Sequence, residues 1–243
     1  MTNLSAGRVS TRHWVAADTL IVDLAARRRV LSSAPRGGGL CTARYILNHQ
    51  VSPHPPEADT GRDWAHPSRY LRRLAETLGV EADCVALMTA VPMTQLVTLR
   101  EERDGTWVEC FATVGVTNAV RAGEPVHRLP GERSGATAGT INLILVTNGC
   151  LAVPAMVGAV QVATESKTGV LRDHAVPSWT GVAGATGTGT DAVVVASALR
   201  GNGPWHPYAG THTEIGSMIG RVVSECLLQG LALAAQWADR HRT

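Results

Sequence analysis

The run INLILVTN, residues 141–148, constrains this chain most. A strand open to solvent on one face alternates apolar with polar. This one has continuous apolar character, so it is expected to be covered on both faces. AVVVAS, residues 192–197, reads as a second interior strand. Between them VPAMVGAVQVATESKTGVLRDH (153–174) reads as a helix, and a strand–helix–strand order allows parallel pairing. Upstream, QLVTLREERDGTWVECFATVG (95–115) reads as a hairpin turning at Asp104-Gly105, which forces antiparallel pairing. A chain with both must build a mixed sheet. The expected fold class is α+β: a single layered domain, a mixed sheet covered by helices, and a long C-terminal helix.

The remaining elements fit around that frame. LIVDL (20–24) and RRVLSSA (28–34) read as short strands with a tight link, and VALMTAV (85–91) as a buried strand. After the break GGGL (37–40), CTARYILNHQV (41–51) reads as a short helix. PSRYLRRLAETLG (67–79) is an amphipathic helix, with Pro67 in its first turn and Gly79 at its end. TNAVRAG (117–123) reads as a helical turn and GNGPWHPYAG (201–210) as a loop. The last helix runs from about Thr213 to Arg240, with Ile215, Ile219, Val222, Cys226 and Leu233 at helical spacing. Residues 1–17 read as a ragged lead-in. Residues 52–64 and 124–139 read as polar loops, and neither marks a boundary, so 1–243 is taken as one domain.

Composition narrows the partners. Apolar residues make up 44% of 243, enough for a sizeable core, and the net charge is only +2. The longest basic run is Arg27-Arg28-Arg29, with no aromatic platform beside it, so no nucleic-acid footprint is expected. The N-terminus carries no apolar signal region, and no stretch of about 18 apolar residues is evident, so no membrane association is expected. Five scattered cysteines, an odd number, point to a reducing compartment, hence the cytoplasm. No CxxC or HExxH spacing indicates a protein-bound metal. Self-association is left open. The chain has 21 arginines and a single lysine, Lys167. A lysine kept against that bias suggests a place where a compact ammonium is needed and a guanidinium fork will not serve.

Four polar clusters sit at strand ends or helix starts, VGVTNAVRAG (114–123), AGTINLILVTN (138–148), ATGTGTDAVVV (185–195) and AGTHTEIGSMIG (209–220), and a fifth, ATESKTG (163–169), lies on a helix. Glycine lets backbone N–H groups approach a ligand, and Thr and Asn add donors and acceptors. Any one cluster could be a turn or a cap, Thr213 at the last helix for example. Five in one chain suggest a site. Its candidate binding residues are Asn118, Asn142, Thr186, Gly187, Thr188, Gly189, Thr190, Thr211 and His49.

These blocks, with GGGL and RYILNHQV before them, resemble the adenosylcobinamide amidohydrolases of the CbiZ type. The resemblance runs in order from about Ser33 to Val223; Ser166 stands where alanine is expected between Glu165 and Lys167. It implies hydrolysis of the amide joining the aminopropanol arm to the corrin ring of adenosylcobinamide, giving adenosylcobyric acid in a salvage route. It implies a corrinoid partner and no cofactor, the cobalt being part of the substrate. A second resemblance concerns mechanism. Gly139-Thr140 before INLILVTN is similar to the junction of the DmpA aminopeptidase and ornithine acyltransferase group, where a chain break frees an N-terminal Ser or Thr as nucleophile.

Amide hydrolysis needs a nucleophile, donors for the oxyanion and an acid for the leaving amine. On one reading Thr140 attacks, with its own amine as base if the chain is cut. On the other a water attacks, with Asp191 or Glu165 as base and His212 or Lys167 as acid. Asn118 and the backbone after Gly115 are candidate oxyanion donors. Two further functions stay open: a non-catalytic corrinoid-binding protein, and an amidase or acyltransferase of other specificity.

Overall fold

The computed structural model describes residues 11–51, 66–125 and 139–240. In chain order the strands are β1 (Arg12–Ala16), β2 (Thr19–Ser32), β3 (Gly39–Gln50), β4 (Cys84–Thr89), β5 (Val97–Arg103), β6 (Thr106–Val114), β7 (Ala119–Val120), β8 (Ile141–Thr147), β9 (Cys150–Leu151), β10 (Gly187–Thr188), β11 (Ala192–Ser197) and β12 (Trp205–His206). The helices are α1 (Pro67–Thr77), α2 (Val153–Asp173) and α3 (Glu214–Arg240). The fold is mixed α+β. One sheet runs β4-β3-β2-β11-β8-β6-β5, with β1 also pairing β2, while β7–β10 and β9–β12 form two small ribbons.

Hydrogen bonds and packing show that this sheet folds over on itself. β3 is four places from β6 in the sheet, yet Asn48 Nδ2 donates to Thr113 Oγ1 at 3.1 Å and Asn142 Nδ2 to Asn48 Oδ1 at 2.9 Å. One core joins Val22, Ile46 and Leu87 of one half to Phe111, Ile144 and Val194 of the other. Outside the β6–β8–β11 half, a second core holds Val114, Leu143 and Val195 against Met156, Val162, Ile219 and Val222 of α2 and α3. Outside the β2–β4 half, Ile21, Leu47 and Ala86 pack on Leu71 and Ala75 of α1. The order of layers is therefore helix, sheet, sheet, helix. INLILVT is buried at every position because both of its faces meet a layer.

The Asp104-Gly105 hairpin forms as expected, both residues taking the positive φ its turn requires, 49° and 77°. α1, α2, β4, β8 and β11 fall where the pattern places them, and Thr213 caps α3, its Oγ1 accepting from Gly216 N at 3.0 Å.

Five expectations are corrected, one being that the loop read at 201–210 contains the short strand β12, paired with β9. Residues 39–50 are a strand, β3, and no helix. Tyr45 and Leu47 turn to α1 while Ile46 and Asn48 turn to the inner core, so burial on both faces hides the period of two. The two strands read at 20–34 are one strand with a bulge between Asp23 and Arg28, where Asp23 Oδ1 accepts from Ala25 N at 2.8 Å. Part of the lead-in, residues 12–16, is β1. The turn read at 117–123 contains the short strand β7. The polar loops lie largely outside the described residues. α3 is the one described helix long and apolar enough to cross a membrane by length and composition, and its Ile215–Met218–Val222–Cys226 stripe is buried in the core.

Candidate functional site

β8 and β11 run parallel, with Asn142 opposite Ala192. Parallel register carried two residues back brings Thr140 beside Thr190. Thr140 Oγ1 donates to Thr190 O at 3.2 Å and is hydrogen-bonded to Thr190 Oγ1, which in turn lies 3.3 Å from Gly139 O. Thr140 is buried while Thr190 and Gly189 are exposed, so the threonine pair joins the interior to the surface.

Beneath them Asp191 organises the site. Its Oδ1 accepts from Ile141 N at 2.9 Å and from Thr188 Oγ1 at 2.5 Å. Its Oδ2 accepts from Thr188 N at 3.0 Å and from Lys167 Nζ at 2.5 Å. Four donors fill the sites that a carboxylate offers. Lys167 is buried and Asp191 nearly so, the side chains being 8% and 12% exposed. Lys167 comes from the inward face of α2, beside Ala163 and Val170.

The single lysine now has a physical reason. A Cβ on Gly187 would stand 2.4 Å from Asp191 Oδ2 and 2.8 Å from Lys167 Nζ, so the pair fits only against bare backbone. A guanidinium, wider than an ammonium, has no room there.

The loop before β7 closes the other side. Gly115 N donates to Thr140 O at 2.9 Å. A Cβ on Gly139 would meet Asn118 Oδ1 at 2.6 Å and Thr117 Oγ1 at 2.7 Å. Asn118 Oδ1 is buried without a hydrogen-bond partner. Thr186 joins the ribbon to the rest: its Oγ1 accepts from Ala122 N at 2.9 Å and its carbonyl from Thr168 Oγ1 at 3.1 Å. The turn from β2 to β3 lies at the same sheet edge, Val193 N donating to Ser33 Oγ at 3.1 Å, which brings GGGL to the site's margin.

Thr140, Asp191, Lys167, Asn118, Thr186, Gly187, Thr188, Gly189 and Thr190 therefore converge. Five other candidates lie elsewhere. Glu165 is exposed on α2 and accepts from Gln161 Nε2 at 2.9 Å. Two residues from Lys167 on a helix, it points to another face. His212 is exposed in the turn before α3 and shares no hydrogen bond with the cluster. Thr211 lines a separate groove of about 570 Å³ between α2 and α3, with Ser166, Gly220 and Arg221. Asn142 faces the inner core, donating to Asn48 Oδ1 and, at 2.8 Å, to Met88 O. His49 is on β3's outer side, 2.8 Å from both Thr19 Oγ1 and Tyr70 Oη, and burial pushes its pKa down. Sequence reasoning missed Ser33; Val193, bonded to it, follows ATGTGTDA, but the pairing itself is tertiary. Among the described residues no group of three or more His, Cys, Asp and Glu is placed to hold a metal ion.

A hydroxyl set against a peptide carbonyl, beside glycine backbone and a side-chain amide, is equipment for acyl transfer to oxygen. Hydrolases and acyl transferases use groups of these kinds. The particular family follows from its relatives: the chain belongs to the adenosylcobinamide amidohydrolase family, whose model matches residues 1–239. It is 31% identical over 208 residues to the adenosylcobinamide amidohydrolase of Methanosarcina mazei, covering 82% of this chain and 88% of that protein. It is 30% identical over 233 residues to an uncharacterized protein of Methanocaldococcus jannaschii, covering 88% and 85%. Among solved structures, a Burkholderia sp. beta-aminopeptidase aligns over 92% of this chain and 82% of its own, at 11% identity and a TM-score of 0.43. A likeness at that level defines neither fold nor activity. By family, the chain is an amidohydrolase.

Proposed function

We propose that the chain hydrolyses the amide between the corrin ring and the aminopropanol arm of adenosylcobinamide, giving adenosylcobyric acid and aminopropanol, with Thr140 as nucleophile. Family membership supports the substrate. One observation supports the nucleophile: the Thr140 hydroxyl, bonded to Thr190, sits where Thr190 also meets the Gly139 carbonyl. Thr140 Oγ1 attacks the substrate amide carbon, the amine leaves with a proton, and water then cleaves the ester on Thr140. Among the described residues the side chain of Thr140 is hydrogen-bonded only to Thr190; on this reading the base is its own amine, freed when the Gly139–Thr140 peptide is cut. In that cut the Thr140 hydroxyl attacks the Gly139 carbonyl carbon, the C–N bond breaks, and water converts the resulting ester to a carboxylate and a free hydroxyl.

Lys167 and Asp191 are positioning residues on this reading: they hold Ile141 N and Thr188, and so the threonine pair. The water-activating alternative has less support, because Asp191's oxygens are occupied and Glu165 is paired in solvent. The place in corrinoid salvage, and in the cytoplasm, belongs to the proposal; the odd, dispersed cysteines support a reducing compartment.

Purified chain incubated with adenosylcobinamide should release adenosylcobyric acid, and Thr140→Ala should not, while Thr140→Ser keeps activity. Bound corrinoid without turnover would replace the enzyme by a binding protein. Intact mass should give two fragments, meeting at Gly139 and Thr140, that sum to the chain plus one water. An active uncut chain would remove the amine from the mechanism.

A further inference from the structure

Beside the threonine cluster the chain builds a projection. Residues 176–185, between α2 and β10, form a tight hairpin: Ser178 N donates to Val182 O and Gly181 N to Ser178 O, both at 2.8 Å, and Pro177 faces Ala183. Val176 roots it in the core, its carbonyl accepting from Gly184 N and Ala185 N at 3.0 Å. Glu124 clamps it, Oε1 accepting from Ser178 Oγ at 2.7 Å and Thr180 Oγ1 at 3.3 Å, while Oε2 accepts from Arg121 N at 2.9 Å.

The hairpin is tied to the site through β7. The Ala119 carbonyl accepts from Trp179 N at 2.8 Å and the Val120 carbonyl from Thr186 N at 2.9 Å. Successive carbonyls of a strand point to opposite edges, so β7 has the hairpin on one side and β10 on the other. Asn118, which crowds Gly139, is the residue before Ala119. Trp179 is thus linked through Ala119 and Asn118 to Gly139, the neighbour of Thr140.

A segment held this firmly nonetheless presents apolar side chains outward: Trp179 is 42% exposed and Val182 61%. The cluster itself offers hydroxyls, glycine and one amide, and little apolar surface. Sites for large ligands are mostly apolar, with a few polar groups that fix orientation. A ring with a broad apolar face and a fringe of amides needs both, side by side.

We propose that Trp179 and Val182 form a platform for the flat face of a corrin-type macrocycle, holding the ring while its amide arm reaches Thr140. The platform rests on the proposed function, and its test separates the two. Adenosylcobinamide hydrolysis is followed for wild type, Trp179→Ala/Val182→Ser, Trp179→Phe and, as control, Trp237→Ala on α3. A ringless amide, N-acetyl aminopropanol, is run alongside. The double variant should raise KM about tenfold at little cost in kcat, from the lost aromatic contact. Trp179→Phe should recover most of this, Trp237→Ala should match wild type, and any rate on the ringless amide should be the same in all four. An unchanged KM in the double variant, or an equal loss on the ringless amide, overturns the platform alone. A changed oligomeric state with KM intact makes the hairpin an interface between copies and likewise overturns it. Absence of wild-type turnover overturns the functional reading, and the platform with it.

Discussion

Two carboxylates in this protein, Glu109 buried and Asp191 nearly so, meet opposite surroundings. Asp191 precedes β11, and its oxygens take two backbone N–H groups, a hydroxyl and an ammonium. Glu109 lies in the middle of β6, 9% exposed, and its Oε2 has no hydrogen-bond partner. Burial pushes the Glu109 pKa up, opposed in part by the charges of Arg100, His13 and Arg28. Arg28 spends its bonds on backbone, Nη1 donating to Thr147 O at 2.6 Å. The difference is one of available donors. Around Glu109 the ladder to β5 and β8 has already taken the backbone N–H groups. Before a strand begins, glycine-rich backbone still has them to give, and Gly187 leaves room for the lysine. A carboxylate can organise a site at a strand's start that it cannot organise in the strand's interior.

The largest expected effect follows from the satisfied pair. Lys167→Ala leaves a nearly buried carboxylate without its counter-ion and should cost about 3–5 kcal/mol of stability, along with turnover. Urea denaturation reads the first, and a loss under about 1 kcal/mol would mean that the two carboxylates do not differ in kind. Thr188→Val removes one hydroxyl donor from Asp191 and should cost about 1–3 kcal/mol, with a fall in kcat if Asp191 positions Thr140.

The unsatisfied carboxylate should behave with the opposite sign. Its folded pKa lies above the ordinary 4.5, so its contribution is fully present below that value and is lost as pH rises through the folded pKa. Glu109→Gln should flatten stability in that window and leave turnover near wild type. A variant as pH-dependent as the parent would show that Glu109 is not the titrating group. The smallest effect concerns His49, whose pKa is depressed from 6.5 by burial. Its neutral form is favoured by folding, so its contribution is present above pH 6.5 and is lost as pH falls through the folded value. Measured by urea denaturation against pH, His49→Gln should remove part of the destabilisation that sets in below pH 6.5; His206, depressed in the same sense, contributes to what remains.

Much of this was legible in residue order. Asp104-Gly105 states its turn, because only certain residues accept positive φ. α1 states its helix through one apolar stripe. ATGTGTD and the lone Lys167 announce a crowded polar place. β3 was not legible: a strand covered by α1 on one side and an inner core on the other has no alternation to read. Nor was the exclusion of His212, Thr211, Asn142 and His49 from the cluster, since residue type says nothing about which layer a side chain faces; for Glu165 the helical spacing says that it and Lys167 face different ways, but not which of them enters the site.

By itself, then, the sequence determined the local elements and the chemical inventory, which depend on φ preferences and apolar spacing within a few residues. The tertiary structure alone decided the assembly. Parallel register between β8 and β11 set Thr140 against Thr190, 50 residues apart. α2 delivered Lys167 to Asp191 across 24. Such meetings depend on which strands pair and how the sheet folds over, and these are fixed by burying three cores at once and not by any short stretch of chain.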